Sequence, residues 1–227
     1  MRSSPLILAL DATDMNLIDN LIDQTRESIA VYKLGLEFFT AHGAHGVLSI
    51  IKRHSDIKLF LDLKLHDIPN TVLKAAENLS EIDPLFLTVH ASGGQKMISA
   101  AVNVLPNTLI TAVTVLTSLD NQELRSMGYE LLNPAVAANF AKIAEDAGAR
   151  AIVSSPLEVQ EIRKTVSRET KIITPGIRFA PGSDDQIRTA TPREAIENGA
   201  DYLVVGRPIT QAKAPGRAAA DILDSIY

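Results

Sequence analysis

The chain has no cysteine and no tryptophan. Without cysteine it has no disulfides, thiolate metal ligands or cysteine nucleophiles. Aromatics make up 4% of the 227 residues, too few for the stacking platforms that hold single-stranded nucleic acid. No apolar run approaches the roughly 20 residues of a membrane span. Met1-Arg2-Ser3-Ser4-Pro5 runs straight into an apolar stretch, with no signal-peptide pattern. The expectation is a cytoplasmic protein with neither nucleic acid nor a membrane as partner. The net charge of −5 gives no general basic footprint, although a local cationic pocket stays possible.

What is present is a core. Hydrophobic residues are 46% of the chain, and they recur as eight short runs. These are Leu6–Leu10, Ala30–Leu34, Ile57–Lys64, Leu85–His90, Thr108–Leu116, Ala151–Ser154, Lys171–Thr174 and Tyr202–Val205. Between them lie helically spaced segments at about 14–28, 37–54, 71–80, 95–104, 134–147, 156–166 and 191–198. The second of these is interrupted near Gly43 and Gly46. A short extra helix is expected over 119–129 and a terminal one over 214–225. There is no linker and no low-complexity segment. Strands buried on both faces and alternating with helices argue for a parallel sheet. Eight units in this length predict an α/β fold, a (β/α)8 barrel forming one domain over 1–227. The competing doubly wound sheet carries a Gly-rich turn after its first strand, where this chain has Asp11-Ala12-Thr13.

One stretch stands out. Leu61-Asp62-Leu63-Lys64-Leu65-His66-Asp67-Ile68-Pro69-Asn70-Thr71 sets two carboxylates around a lysine as the third apolar run ends. Strand alternation puts Asp62 and Lys64 on one face and Leu61 and Leu63 on the other. A charged pair on the inner face of a buried strand is costly unless partnered. In a (β/α)8 barrel, chemistry sits where strands end. Those ends read Asp11, Lys33, Asp62 with Lys64, His90, Thr117, Ser154, Arg178 and Gly206-Arg207. Any one of them alone reads as a turn residue, a cap or a solvated charge. Two lysines and three carboxylates converging on one mouth are harder to explain as a structural ion-pair network.

Val205-Gly206-Arg207-Pro208 after the eighth strand suits an oxyanion. Glycine lets a phosphate approach the backbone, the next helical turn presents N–H groups, and arginine clamps it. Arg178 closes the seventh strand, and Gln186 lies in the loop beyond. Alone, Gly-Arg-Pro could be a tight turn, but after the eighth strand of a barrel a phosphate site is the favoured reading. His42 and His45 read as solvated, His66 as turned from the Lys64 face, and His90 as a core histidine. Asp62 and Asp67 could ligate a cation, but the Lys64 ammonium would repel it, so no metal is expected.

Taken together, Asp11, Lys33, Asp62 through Thr71, Thr174-Pro175-Gly176-Ile177-Arg178 and Val205-Gly206-Arg207-Pro208-Ile209-Thr210 resemble the orotidine 5′-phosphate decarboxylase family. The likeness runs from the first strand to the eighth. It implies conversion of orotidine 5′-monophosphate to uridine 5′-monophosphate and CO2, with no metal or organic cofactor. It implies Lys64 as proton donor within a Lys33–Asp62–Lys64–Asp67 array. It also implies a homodimer in which Asp67, Ile68 and Thr71 serve the neighbouring subunit's site. Asp11 and Lys33 would hold the ribose, and Thr117 and Gln186 the pyrimidine and a closing loop around 179–186. Arg178, Gly206 and Arg207 would take the phosphate. The run Leu63, Leu65, His66, Pro69 and Asn70 would complete the substrate-binding segment. Metal-dependent sugar-phosphate relatives share Asp11 and D-x-K-x-x-D, but carry an acidic metal ligand where Lys33 stands. A non-catalytic phosphate binder would have no need of a lysine between carboxylates.

Overall fold

A strand that is apolar on both faces needs cover on both, and a barrel wrapped in helices provides it. The computed structural model describes residues 4–130, 133–177 and 190–227. In it β1 (Leu6–Ala9), β2 (Val31–Gly35), β3 (Leu59–Leu65), β4 (Phe86–His90), β5 (Leu109–Val113), β6 (Ala151–Val153), β7 (Lys171–Thr174) and β8 (Tyr202–Val205) pair in chain order. All the pairings are parallel, and β8 returns to β1 to close the barrel. The helices are α1 (Met15–Thr25), α2 (Leu36–Arg53), α3 (Pro69–Glu77), α4 (Gly94–Val104), α5 (Asn121–Ser126), α6 (Asn133–Asp146), α7 (Val159–Thr165), α8 (Pro192–Glu197), α9 (Arg207–Thr210) and α10 (Pro215–Ile226). The (β/α)8 expectation therefore holds.

The element bounds differ from the sequence reading for physical reasons. The fifth strand was expected to run to Leu116 but stops at Val113, because its partner β6 has only three residues to pair with. The helix expected from Thr71 starts at Pro69, whose fixed φ suits the first helical turn. The expected interruption in α2 falls at Gly43, with φ 60° and ψ −164°, a region that only glycine enters freely.

Two apolar layers result. Inside the barrel, Ile7, Val31, Phe60, Phe86, Ala151 and Ile173 form a plug. Phe86 meets Phe60 and Tyr202 edge-on, with ring centroids 5.5 Å apart in each pair. Outside, residues of opposite parity such as Leu8, Leu34, Leu61 and Leu87 pack in one core with helix residues Ile18 and Phe38. Side chains repeat a face every second residue. The next inward positions above Val31, Phe60 and Phe86 are therefore Lys33, Asp62 and Thr88. Sealed below by aromatics, the barrel presents a polar layer at its mouth.

Candidate active site

A cavity of about 510 Å³ opens above the plug. Its walls include Asp11, Lys33, Asp62, Lys64, Thr117, Ser154, Gly206 and Arg207, drawn from or just beyond β1, β2, β3, β5, β6 and β8. Apolar wall positions Ala9, Phe60, Val113, Val115, Leu116, Val153 and Val204 complete the lining together with Pro175, Gly176 and Gln211.

The charges form one connected run. Lys33 Nζ lies 3.2 Å from Asp11 Oδ1 and 3.2 Å from Asp62 Oδ2. The other Asp62 oxygen, Oδ1, accepts from Lys64 Nζ at 2.7 Å and from the Thr88 hydroxyl at 3.0 Å. Exposure grades along the run, from 10% for the Lys33 side chain and 13% for Asp62 to 30% for Lys64 and 58% for Asp11. Burial works against the Lys33 ammonium, but Asp62 and then Asp11 outweigh it and raise its pKa. Burial likewise works against the Asp62 carboxylate, and Lys33, Lys64 and the hydrogen bonds from Lys64 and Thr88 overcome it, so its pKa is lowered. Each charge in the middle of the run is stable because its neighbours are in place.

Backbone geometry makes this possible. Lys64 has φ 49°, unusual for a residue with a Cβ. The pairing of β3 with β4 shifts register between Leu61 and Leu65. Regular alternation therefore fails within the motif itself, and the segment after Leu65 leaves the barrel. His66 does not line the cavity: its ring lies 5.3 Å from that of His90. Burial, followed by His66 and Lys64, lowers the His90 pKa against the opposing pull of Asp62. Leu63 is buried in the outer core, with Leu65 packed against it. From His66 through Thr71 every residue is exposed, with Ile68 at 66%. Asp67 does not line the cavity of its own chain, and its Oδ1 accepts from the Ile68 N–H at 2.6 Å. Arg178 and Gln186 lie outside the described residues.

At the eighth strand, Gly206 precedes the single turn of α9, which begins with Arg207 and Pro208. Among the described residues, a Cβ added to Gly206 would meet only Ala9, at an ordinary 3.6 Å. Packing among the described residues does not demand glycine there. Gly35 is different: a Cβ there would stand 3.3 Å from Lys33 Nζ, so its absence makes room for the ammonium. Neither Gly35 nor Thr88 was singled out from sequence. Gly35 reads as an ordinary strand end, and Thr88 as one more β-branched strand residue. The one available signal for Thr88 was its parity with Phe86 on the inward face. Ser154 was singled out as a strand end. Its Oγ is buried with no hydrogen-bond partner among the described residues, in a residue of the cavity wall. Among the described residues, no group of three or more His, Cys, Asp or Glu is placed to hold a metal ion.

Comparison with known proteins agrees with this site. The orotidine 5′-phosphate decarboxylase / HUMPS family profile matches residues 4–222. The chain is 45% identical to the orotidine 5′-phosphate decarboxylase of Wolbachia sp. subsp. Brugia malayi over 225 residues, covering 98% of this chain and 99% of that one. It is 44% identical to the enzyme of the same name from Thermobifida fusca, covering 96% of this chain and 94% of that one. The crystal structure of orotidine 5′-phosphate decarboxylase from Lactobacillus acidophilus superposes with a TM-score of 0.85 at 33% identity, covering 98% of this chain and 99% of that one. Near-complete coverage in sequence and in structure leaves one conclusion: the chain belongs to the orotidine 5′-phosphate decarboxylase / HUMPS family.

Proposed function

We propose that the chain decarboxylates orotidine 5′-monophosphate to uridine 5′-monophosphate and CO2, the closing step of de novo pyrimidine synthesis, without metal or organic cofactor. The observation that carries this reading is the continuous Asp11–Lys33–Asp62–Lys64 run at the barrel mouth, in a chain of this family.

The chemistry needs such a run. When the bond from C6 to the carboxylate breaks, its electron pair stays on C6, and the pyrimidine offers no electron sink there. A site for this reaction must therefore supply fixed positive charge where negative charge develops. The Lys64 ammonium supplies that charge, and its proton passes to C6 as CO2 departs; the lysine regains a proton from water before the next turnover. A positioned general acid contributes about 10²–10⁴-fold to such a step. Asp62 fixes Lys64 and stands near the departing carboxylate. Lys33 holds Asp62 ionised, and with Asp11 it binds the ribose hydroxyls. Thr117 contacts the pyrimidine with Gln186, and Gly206, Arg207 and Arg178 take the phosphate. The room for a side chain at Gly206 among the described residues supports a ligand-facing reason for the glycine.

The array is completed by a second copy. Asp67, Ile68 and Thr71 are exposed on the single chain, beside the mouth but outside its cavity. In a homodimer they enter the neighbouring site, and Asp67 becomes the last charge of the Lys33–Asp62–Lys64–Asp67 sequence. The remaining residues of this segment, Leu65, His66, Pro69 and Asn70, carry it there.

The test is an assay on EDTA-treated protein. The absorbance of orotidine monophosphate should fall on mixing, with stoichiometric release of CO2. Binding of uridine monophosphate without CO2 release would make the chain a phosphate-binding protein. Activity that returns only with magnesium would make it a metal-dependent relative.

A further inference from the structure

Thr88 carries no charge and does not line the cavity, yet it touches both halves of the motif. It is fully buried in the middle of β4. Its Oγ1 accepts the backbone N–H of Lys64 at 2.8 Å and donates its single proton to Asp62 Oδ1 at 3.0 Å. We infer that Thr88 is a positioning residue for the reaction, one hydroxyl that fixes the Lys64 backbone and the Asp62 carboxylate together.

The need for it lies in the backbone of β3. The strand pairs with β4 through Leu61↔Leu87 and again through Leu65↔Val89, so four residues of β3 advance against two of β4. The Lys64 N–H falls where the ladder is broken, and a buried N–H without an acceptor is costly. Lys64 also adopts φ 49°, a conformation that is unfavourable for a residue with a Cβ and persists only where neighbours hold it. The Thr88 oxygen meets both demands, since it accepts the N–H and anchors the turn. Its proton then goes to the Asp62 oxygen that also receives Lys64 Nζ. The lysine is thus located from both ends, at its backbone through Thr88 and at its ammonium through Asp62.

The inference rests on the decarboxylase reading and deepens it. The groups facing Asp62 are Lys33 from β2, Lys64 from its own strand and Thr88 and His90 from β4, with Asp11 beyond Lys33. A hydroxyl that donates to the carboxylate favours its ionised form, so losing that donor moves Asp62 ionisation to higher pH.

The experiment compares Thr88→Val, Thr88→Ala and Thr88→Ser with wild type. Valine keeps the shape and removes the hydroxyl, alanine removes both, and serine keeps the hydroxyl. Valine and alanine should lower kcat by about 10–100-fold, the scale of a small misplacement of a reacting group. Binding of uridine monophosphate should hold, and the acid limb of kcat/KM should move to higher pH. Serine should restore most of kcat and the wild-type limb. Wild-type kcat and pH profile in either hydroxyl-free variant would overturn the inference. So would a serine variant as impaired as valine. Wild-type protein that releases no CO2 from orotidine monophosphate overturns the decarboxylase reading and this inference with it. Active wild type with an indifferent Thr88→Val variant overturns this inference alone.

Discussion

At the scale of residues, the site is a matter of which charges are desolvated together. Lys33 and Asp62 are the two most buried charges of the run, and each is stabilised by the other. The linkage to stability has a definite sign. The Asp62 pKa is lowered from 3.8, so its contribution is present above 3.8 and is lost as pH falls through the folded value. The Lys33 pKa is raised from 10.5, so its contribution is present below 10.5 and is lost as pH rises through the folded value. Between those limits neither group titrates. We predict that denaturant unfolding of wild type and Asp62→Asn differs by a constant amount at neutral pH. Below 3.8 the difference should shift in favour of the variant. A difference that moves in the opposite direction would contradict the assigned sign. The identities of these charges were legible in the sequence because four of them stand at strand ends, where an apolar run breaks into Asp or Lys. Thr88 and Gly35 were not legible, since their roles depend on a broken ladder and on the volume of a neighbouring ammonium. Ser154 was legible as a strand end, but its unsatisfied hydroxyl was not.

At the scale of elements, the two faces of the barrel divide the work. The cavity sits at the C-terminal ends of the strands, and the opposite face is tied together by Arg163. This arginine lies on α7 with a side chain 9% exposed, and it pairs with Asp201 at 2.6 Å. It also donates to the carbonyls of Ser167, Thr170 and Gly199. Asp201 in turn accepts the Ile172 N–H at 2.8 Å, so one cluster fixes the entries to β7 and β8. Removing Arg163 takes a donor from four acceptors, of which the Thr170 and Gly199 carbonyls are part-buried, the Ser167 carbonyl is exposed and Asp201 keeps the Ile172 N–H and Lys171. We expect Arg163→Ala to cost about 3 kcal/mol in urea unfolding, while kcat stays near wild type. An equally stable variant, or one that loses kcat without losing stability, would contradict this division. Periodicity located every strand and nearly every helix correctly, because short apolar runs and helical spacing are local signals. Exact ends were not local: β5 ends where β6 runs out of partners. Nor did alternation anticipate the bulge at Lys64, since it assumes the regular backbone that the motif breaks.

At the scale of the whole molecule, closure of eight strands brings Asp11 of the first, Lys33 of the second and Gly206 of the eighth to one mouth. No pair of these is close in sequence, and only the barrel reading predicts that they meet. One motif residue, Asp67, stays outside that mouth on the exposed segment Asp67–Thr71. In the proposed homodimer, the segment after Lys64 builds the partner's site while Lys64 builds its own. The direct test mixes two inactive variants, Lys64→Ala and Asp67→Asn, and lets subunits exchange. Each mixed dimer contains one site with an intact Lys64 and Asp67 of the partner subunit. An equal mixture should recover roughly a quarter of wild-type CO2 release from orotidine monophosphate, from random pairing in a two-fold dimer. No recovery with mixed dimers demonstrably present would contradict the shared site.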